Sequence, residues 1–144
     1  MKCFRKIISI IMIGIICFSF SACGSESSTT SAIDIDLTEM SSTMIYSEVS
    51  NMVTTPEDFV GKTVKMAGKF AVYHDDVDGN DYFACVIADA TACCSQGLEF
   101  ELKGEHKYPD DYPKVDSEIT VQGVFDTYNI GENVYYTLKD AELL

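Results

Sequence analysis

Lys62-Thr63-Val64-Lys65-Met66-Ala67-Gly68-Lys69-Phe70-Ala71-Val72 decides the fold class. Val64, Met66, Phe70 and Val72 share one parity, with Gly68 between them, and Lys65 and Lys69 fall on the other. Strand side chains alternate between two faces, so this spacing predicts a strand with one buried face. Gly68 stands where a strand of a small, close-packed barrel bends. The pattern returns in Ile119-Thr120-Val121-Gln122-Gly123-Val124-Phe125, again with a glycine in mid-strand.

Three more strands follow from period and turn chemistry. Tyr82-Phe83-Ala84-Cys85-Val86-Ile87 is apolar on both faces, Leu98-Glu99-Phe100-Glu101-Leu102 alternates cleanly, and Val134-Tyr135-Tyr136-Thr137-Leu138 is the last. Asp75 to Asp81, with its Asp-Gly pair, and Asn129 to Asn133 are turns. Asp89-Ala90-Thr91-Ala92 ends the second strand, and Gly104 to Asp116, holding Pro109 and Pro113, is a long connection. Upstream, Met40, Met44, Ile45, Val49 and Met52 mark the apolar face of a helix within residues 38–52. Thr55-Pro56-Glu57-Asp58-Phe59-Val60-Gly61 reads as a separate turn with Thr55 as N-cap. The expected core is Val64, Met66, Phe70, Phe83, Ile87, Leu98, Phe100, Ile119, Val121, Phe125 and Leu138.

The chain opens with three basic residues, Lys2, Arg5 and Lys6, then a short apolar run to Phe20. That is the layout of a secretory signal, and the run falls short of the roughly 20 apolar residues of a membrane-spanning helix. Phe20-Ser21-Ala22-Cys23-Gly24 resembles the lipobox of bacterial lipoproteins, with Phe20 where Leu is usual. The resemblance implies removal of residues 1–22, a lipid on Cys23 and a place on the extracytoplasmic face of a bacterial membrane. The Ser/Thr-rich stretch from Gly24 to Leu37 is expected to be a flexible tether, so residues 23–37 form the tether and 38–144 the domain.

Three of the ten Lys and Arg lie in residues 1–22, leaving seven against 23 acidic residues, a net charge of −16. A domain so acidic repels nucleic acid at long range, and no nucleic-acid partner is expected.

Pro56 to Val64 followed by Met66-Ala67-Gly68 resembles the approach to the first strand of anticodon-binding-type OB domains, and Ile119 to Phe125 resembles their fourth strand. Ile87 to Phe100, with Cys93-Cys94, resembles a segment of exported OB-domain proteins and small bacterial lipoproteins. The likeness covers residues 55–144. It implies an all-β, five-stranded OB-fold Greek-key barrel, here preceded by a short helix. It implies no catalytic residue.

Three cysteines remain beyond the lipid site: Cys85, Cys93 and Cys94. A hairpin centred on Asp89-Ala90 would set Cys85 opposite Cys93, a disulfide candidate, with Cys94 on the other face. Those thiols with His74 are the candidate ligands for zinc or another soft metal. Against both readings, no Cys-x-x-Cys spacing is present, and cysteine often serves as a small buried hydrophobe. Asp76-x-Asp78-x-Asn80 fails as a calcium loop, because Asp81 and Ile87 occupy its glycine and closing-glutamate positions. Gly61-Lys62-Thr63 lacks the upstream glycine of a phosphate loop. His74 and His106 supply no Ser/His/Asp set.

Tyr73, Tyr82, Tyr128, Tyr135 and Tyr136 are candidates for a ligand face, or else barrel-surface and core aromatics. The chain is therefore expected to be a non-enzymatic, lipid-anchored binding module for a protein, glycan or small ligand. The alternative is a thiol- or zinc-handling lipoprotein using Cys85, Cys93 and Cys94.

Overall fold

Thr63–His74 (β2) serves two partners in succession. Thr63 to Lys69 pairs antiparallel with Glu118–Ile130 (β5), and Lys69 to His74 pairs antiparallel with Asp81–Ala88 (β3). The handover falls at Gly68 and Lys69. A Cβ on Gly68 would lie 2.5 Å from the Val86 carbonyl oxygen and 3.0 Å from Cys85 Sγ, so only glycine lets the two strands approach there.

The computed structural model describes residues 32–76, 78–88, 91 and 94–144. β3 continues antiparallel to Ser95–Leu102 (β4), which pairs in parallel with Asn133–Leu143 (β6). β6 in turn pairs antiparallel with β5. Because β5 also pairs with β2, the order β2-β3-β4-β6-β5 returns on itself. The result is one sheet closed into a barrel-like ring, mostly β, with a short α-helix among the described residues.

The ring's interior is the core read from the strand periods. Val64, Met66, Phe70, Ile87, Leu98, Phe100, Ile119, Val121, Phe125 and Leu138 are all buried, and Phe83 packs against them half-buried. Ser42–Thr54 (α1) packs against β3 and β4 and buries Val49 and Met52. Its predicted start at residue 38 is too early. Asp36 Oδ1 accepts from the Thr38 backbone N–H and so caps the start of a separate 3-10 turn, Leu37–Glu39, that precedes the helix. Met44 lies off the packed face, 58% exposed.

Two further expectations need correction. Six strands, not five, are present among the described residues, because Ile35–Asp36 (β1) pairs parallel with Val64 and Lys65. β1 takes the edge of β2 upstream of its pairing with β3. The domain therefore starts before residue 38: Leu37 is fully buried, and Asp34 exchanges hydrogen bonds with Thr63. A short strand beside a Ser/Thr-rich run carries too few residues to show a period. Thr55 is the N-cap residue of the turn at Pro56–Asp58, as read from the sequence, but its hydroxyl lends no capping bond there and instead donates to the Asn51 carbonyl at the end of α1.

β6 also extends well past Leu138, to Leu143. Its pairing with β5 shifts between Gln122 and Val124, and Asp140 takes φ +49°. Gly123 sits in that irregularity, where a Cβ would meet Leu138 Cβ and Lys139 O, both at 2.9 Å. The bulge breaks the period of two, which hid the strand's second half.

Candidate functional site

Register sorts the ring's side chains. Phe70, Cys85 and Leu98 are successive cross-strand partners and point into the core. The adjacent row, one residue on, must therefore face outward. That row runs Ala71, Ala84, Glu99, Thr137 and Asp126 across β2, β3, β4, β6 and β5. Alanines make its first two positions shallow.

Tyrosines flank the row. Tyr73 pairs with Tyr82 and Tyr128 with Tyr135, each an even number of residues from the row and so on the same face. Tyr128 and Tyr135 stack with centroids 5.3 Å apart. Tyr136 has the opposite parity and stacks on the core residue Phe125. Of the five tyrosines singled out in the sequence, four thus share the outer face and one belongs to the packing.

Glu99 and Thr137 form the row's centre. The Tyr128 hydroxyl donates to Glu99 Oε2. Burial raises the Glu99 carboxyl pKa, the Tyr128 bond opposes that rise, and nearby Glu101 adds to it. Tyr128 is shifted up as well, by burial first and then by Glu99. Thr137 is only 1% exposed although it faces outward, and its hydroxyl has no hydrogen-bond partner. Among the described residues the only other such side-chain atom is Gln96 Oε1, on the core parity near the start of β4. A buried hydroxyl without a partner costs about 1–3 kcal/mol, so Thr137 is a site where stability has been given up.

A cleft of about 450 Å³ opens over this centre. Tyr82, Glu99, Glu101, His106, Tyr112 and Thr137 are among its lining residues. The connection after β4 closes one side: Tyr112 stacks on Phe83 at 4.0 Å, and His106 meets the Tyr112 ring edge-on at 6.4 Å. At the cleft's end Tyr82 donates to Asp78 at 2.6 Å, and that bond pushes its hydroxyl pKa up to about 12.

No protein-family model matches the chain, and no curated protein matches it. The chain is similar to a lipoprotein of Klebsiella pneumoniae. That protein, a "putative nucleic acid-binding lipoprotein" of subspecies pneumoniae MGH 78578, is 20% identical with a TM-score of 0.44. The match covers 67% of this chain and 84% of that one. It contradicts the exclusion of nucleic acid drawn from net charge, and that exclusion is withdrawn. The physical fault in it is range: exposed charges are screened beyond about 8–10 Å at ordinary ionic strength, so a global charge does not decide what a local face accepts.

The strand register at Cys85 differs from the one expected. Cys85 lies opposite Leu98, and the β3–β4 ladder closes at Ala88 with Ser95, so the hairpin is not centred on Asp89-Ala90. The register that set Cys85 against Cys93 is thus absent; Cys93 itself, like Cys23, lies outside the described residues. Packing of Gly97 on the Cys85 carbonyl, 2.7 Å from where a Cβ would stand, holds the observed register. Cys85 is fully buried, and desolvation, then Glu118, pushes its thiol pKa up to about 12. Cys94 is exposed, ahead of β4.

His74 stays apart from Cys85. It pairs with Asp81, Nδ1 to Oδ1 2.8 Å, four ladder positions from the Phe70–Cys85 pair, or about 13 Å along the strand. Among the described residues, which do not include Cys93, no group of three or more His, Cys, Asp or Glu is placed to hold a metal ion. No helix among them is long and apolar enough to cross a membrane.

Sequence reasoning singled out neither Glu99 nor Thr137. The available signal was parity: Glu99 falls between the core residues Leu98 and Phe100, and Thr137 between Tyr136 and Leu138.

Proposed function

We propose that this chain is a lipid-anchored, extracytoplasmic OB-fold module that binds its ligand on the outer face around Glu99 and Thr137, and that it is not an enzyme. The ring order with its parallel β4–β6 closure, and the long connection ahead of β5, suit the OB-fold reading. OB-folds take ligands on the face of their second and third long strands, here β3 and β4. Anchoring rests on the lipobox-like Ser21-Ala22-Cys23.

The unpartnered Thr137 hydroxyl carries the reading of the site. A polar atom buried without a partner is expensive to keep, and a ligand that completes it explains its retention. Tyr82, Tyr128 and Tyr135 around it supply apolar surface with polar tips, the composition of a recognition face. Glu99 and Tyr128 are bonded to each other, an arrangement that orders a surface.

Titration with a panel of probes (an alkyl polyamine, a neutral oligosaccharide, a nucleoside, a short peptide) followed by backbone NMR tests the reading. Binding should shift the Tyr82, Glu99 and Thr137 resonances most. Hits that map only to other faces would contradict it.

A further inference from the structure

The cleft beside Glu99 carries charge of one sign. Asp81, Glu99 and Glu101 line it, and no Lys or Arg does. His74 already engages Asp81 at 2.8 Å, and Tyr128 occupies Oε2 of Glu99. A carboxylate accepts hydrogen bonds at both oxygens and donates none. Thr137, 1% exposed, adds a hydroxyl with no partner, and its oxygen also accepts. The rings of Tyr82 and Tyr112 line the same space.

We infer that this cleft binds an organic cation, specifically an alkylammonium such as a linear polyamine, with its N–H groups on Glu99, Glu101 and Thr137. The inference rests on the reading of this face as the binding face and names its ligand class. An ammonium group brings three donors and no acceptor, the complement of an acceptor-rich lining. Its charge meets the carboxylates and the negative faces of the tyrosine rings, and its methylenes lie on apolar ring surface. A saccharide fits less well, because each hydroxyl also presents acceptors, and a lining without Lys or Arg leaves them short of donors. A cleft of about 450 Å³ suits a molecule of this size.

Isothermal titration of spermidine into the full-length protein in detergent tests the inference. Binding should be saturable and should weaken with added salt. Glu99→Gln and Thr137→Val should each weaken it by about tenfold, the effect of one lost hydrogen bond to a charged group. Glu132→Gln, in the exposed β5–β6 turn, should leave it unchanged. The Val variant keeps the side chain's shape and removes only an unsatisfied atom, so it should fold. Absence of spermidine binding at low salt would overturn the inference, as would equal losses in Glu99→Gln and Glu132→Gln, the mark of diffuse attraction to an acidic surface. Binding of maltotriose at Glu99 and Thr137 without spermidine binding would overturn the ligand class while leaving the binding face standing.

Discussion

Thr137 stands directly beside Glu99 across the parallel β4–β6 ladder, yet the two are treated differently by their surroundings. Half-buried Glu99 receives a hydrogen bond from Tyr128; the Thr137 hydroxyl, more deeply shielded from water, receives nothing. A face optimised for stability alone would satisfy both or replace Thr137 with an apolar isostere. The consequences of the pair, and of the ring that positions it, are open to measurement.

Glu99 makes stability depend on pH. Its pKa is raised in the folded state above the ordinary 4.5, chiefly by burial. The folded protein then holds a proton that the unfolded chain has released, so stability falls as pH rises through the window between the ordinary and the raised value. Urea midpoints of Glu99→Gln and the unaltered protein should diverge in favour of the variant on going from acid to neutral pH. A gap that stays constant with pH would refute the shift.

Gly68 should be intolerant of any side chain. The contact of 2.5 Å that its Cβ would make is with a backbone carbonyl, which cannot swing away like a side chain. Gly68→Ala should lower unfolding free energy by about 1–3 kcal/mol, as overpacking does, whereas Gly79→Ala, with open space but φ +75°, would report the separate cost of backbone strain. Denaturant unfolding would measure both. An unchanged midpoint for Gly68→Ala would mean that β2 and β3 do not meet as described.

Cys85 should resist alkylation in the native state. It is fully buried and its thiol pKa is near 12, so almost no accessible thiolate exists at neutral pH. Iodoacetamide followed by peptide mapping should label Cys85 only after denaturation. Rapid native labelling would place that strand on the surface.

Cys23 carries the proposed anchor. Cys23→Ala should abolish incorporation of a palmitate analogue in the bacterial host and release the protein from the membrane fraction. Labelling that persists in the variant would refute lipidation there.

The ring's interior was legible because long strands repeat a two-residue period, and Val64, Met66, Phe70 and Val121 show it plainly. Three features escaped for physical reasons. Ile35–Asp36 is too short to carry a period, and its strand character comes from the edge of β2 that it covers. Asp140 and Gly123 interrupt the register of β6, so the strand past Leu138 changes face and loses its signature. The β3–β4 register is set by Gly97 packing on Cys85, a tertiary contact, and the small residues of Asp89-Ala90-Thr91-Ala92 gave no information on it. The site followed the same rule. Four tyrosines were visible, but Glu99 and Thr137 become a site only once β4 and β6, 38 residues apart at that pair, are known to be neighbours.

Denaturant unfolding of Thr137→Val with and without saturating spermidine tests the central claim most directly. A ligand that binds only the folded state raises the unfolding midpoint according to its affinity. The account predicts that the variant alone is as stable as the unaltered protein, or more stable by about 1 kcal/mol, and that spermidine raises its midpoint less. A variant less stable on its own, and raised by spermidine as much as the unaltered protein, would show that the Thr137 hydroxyl serves the fold and not a ligand.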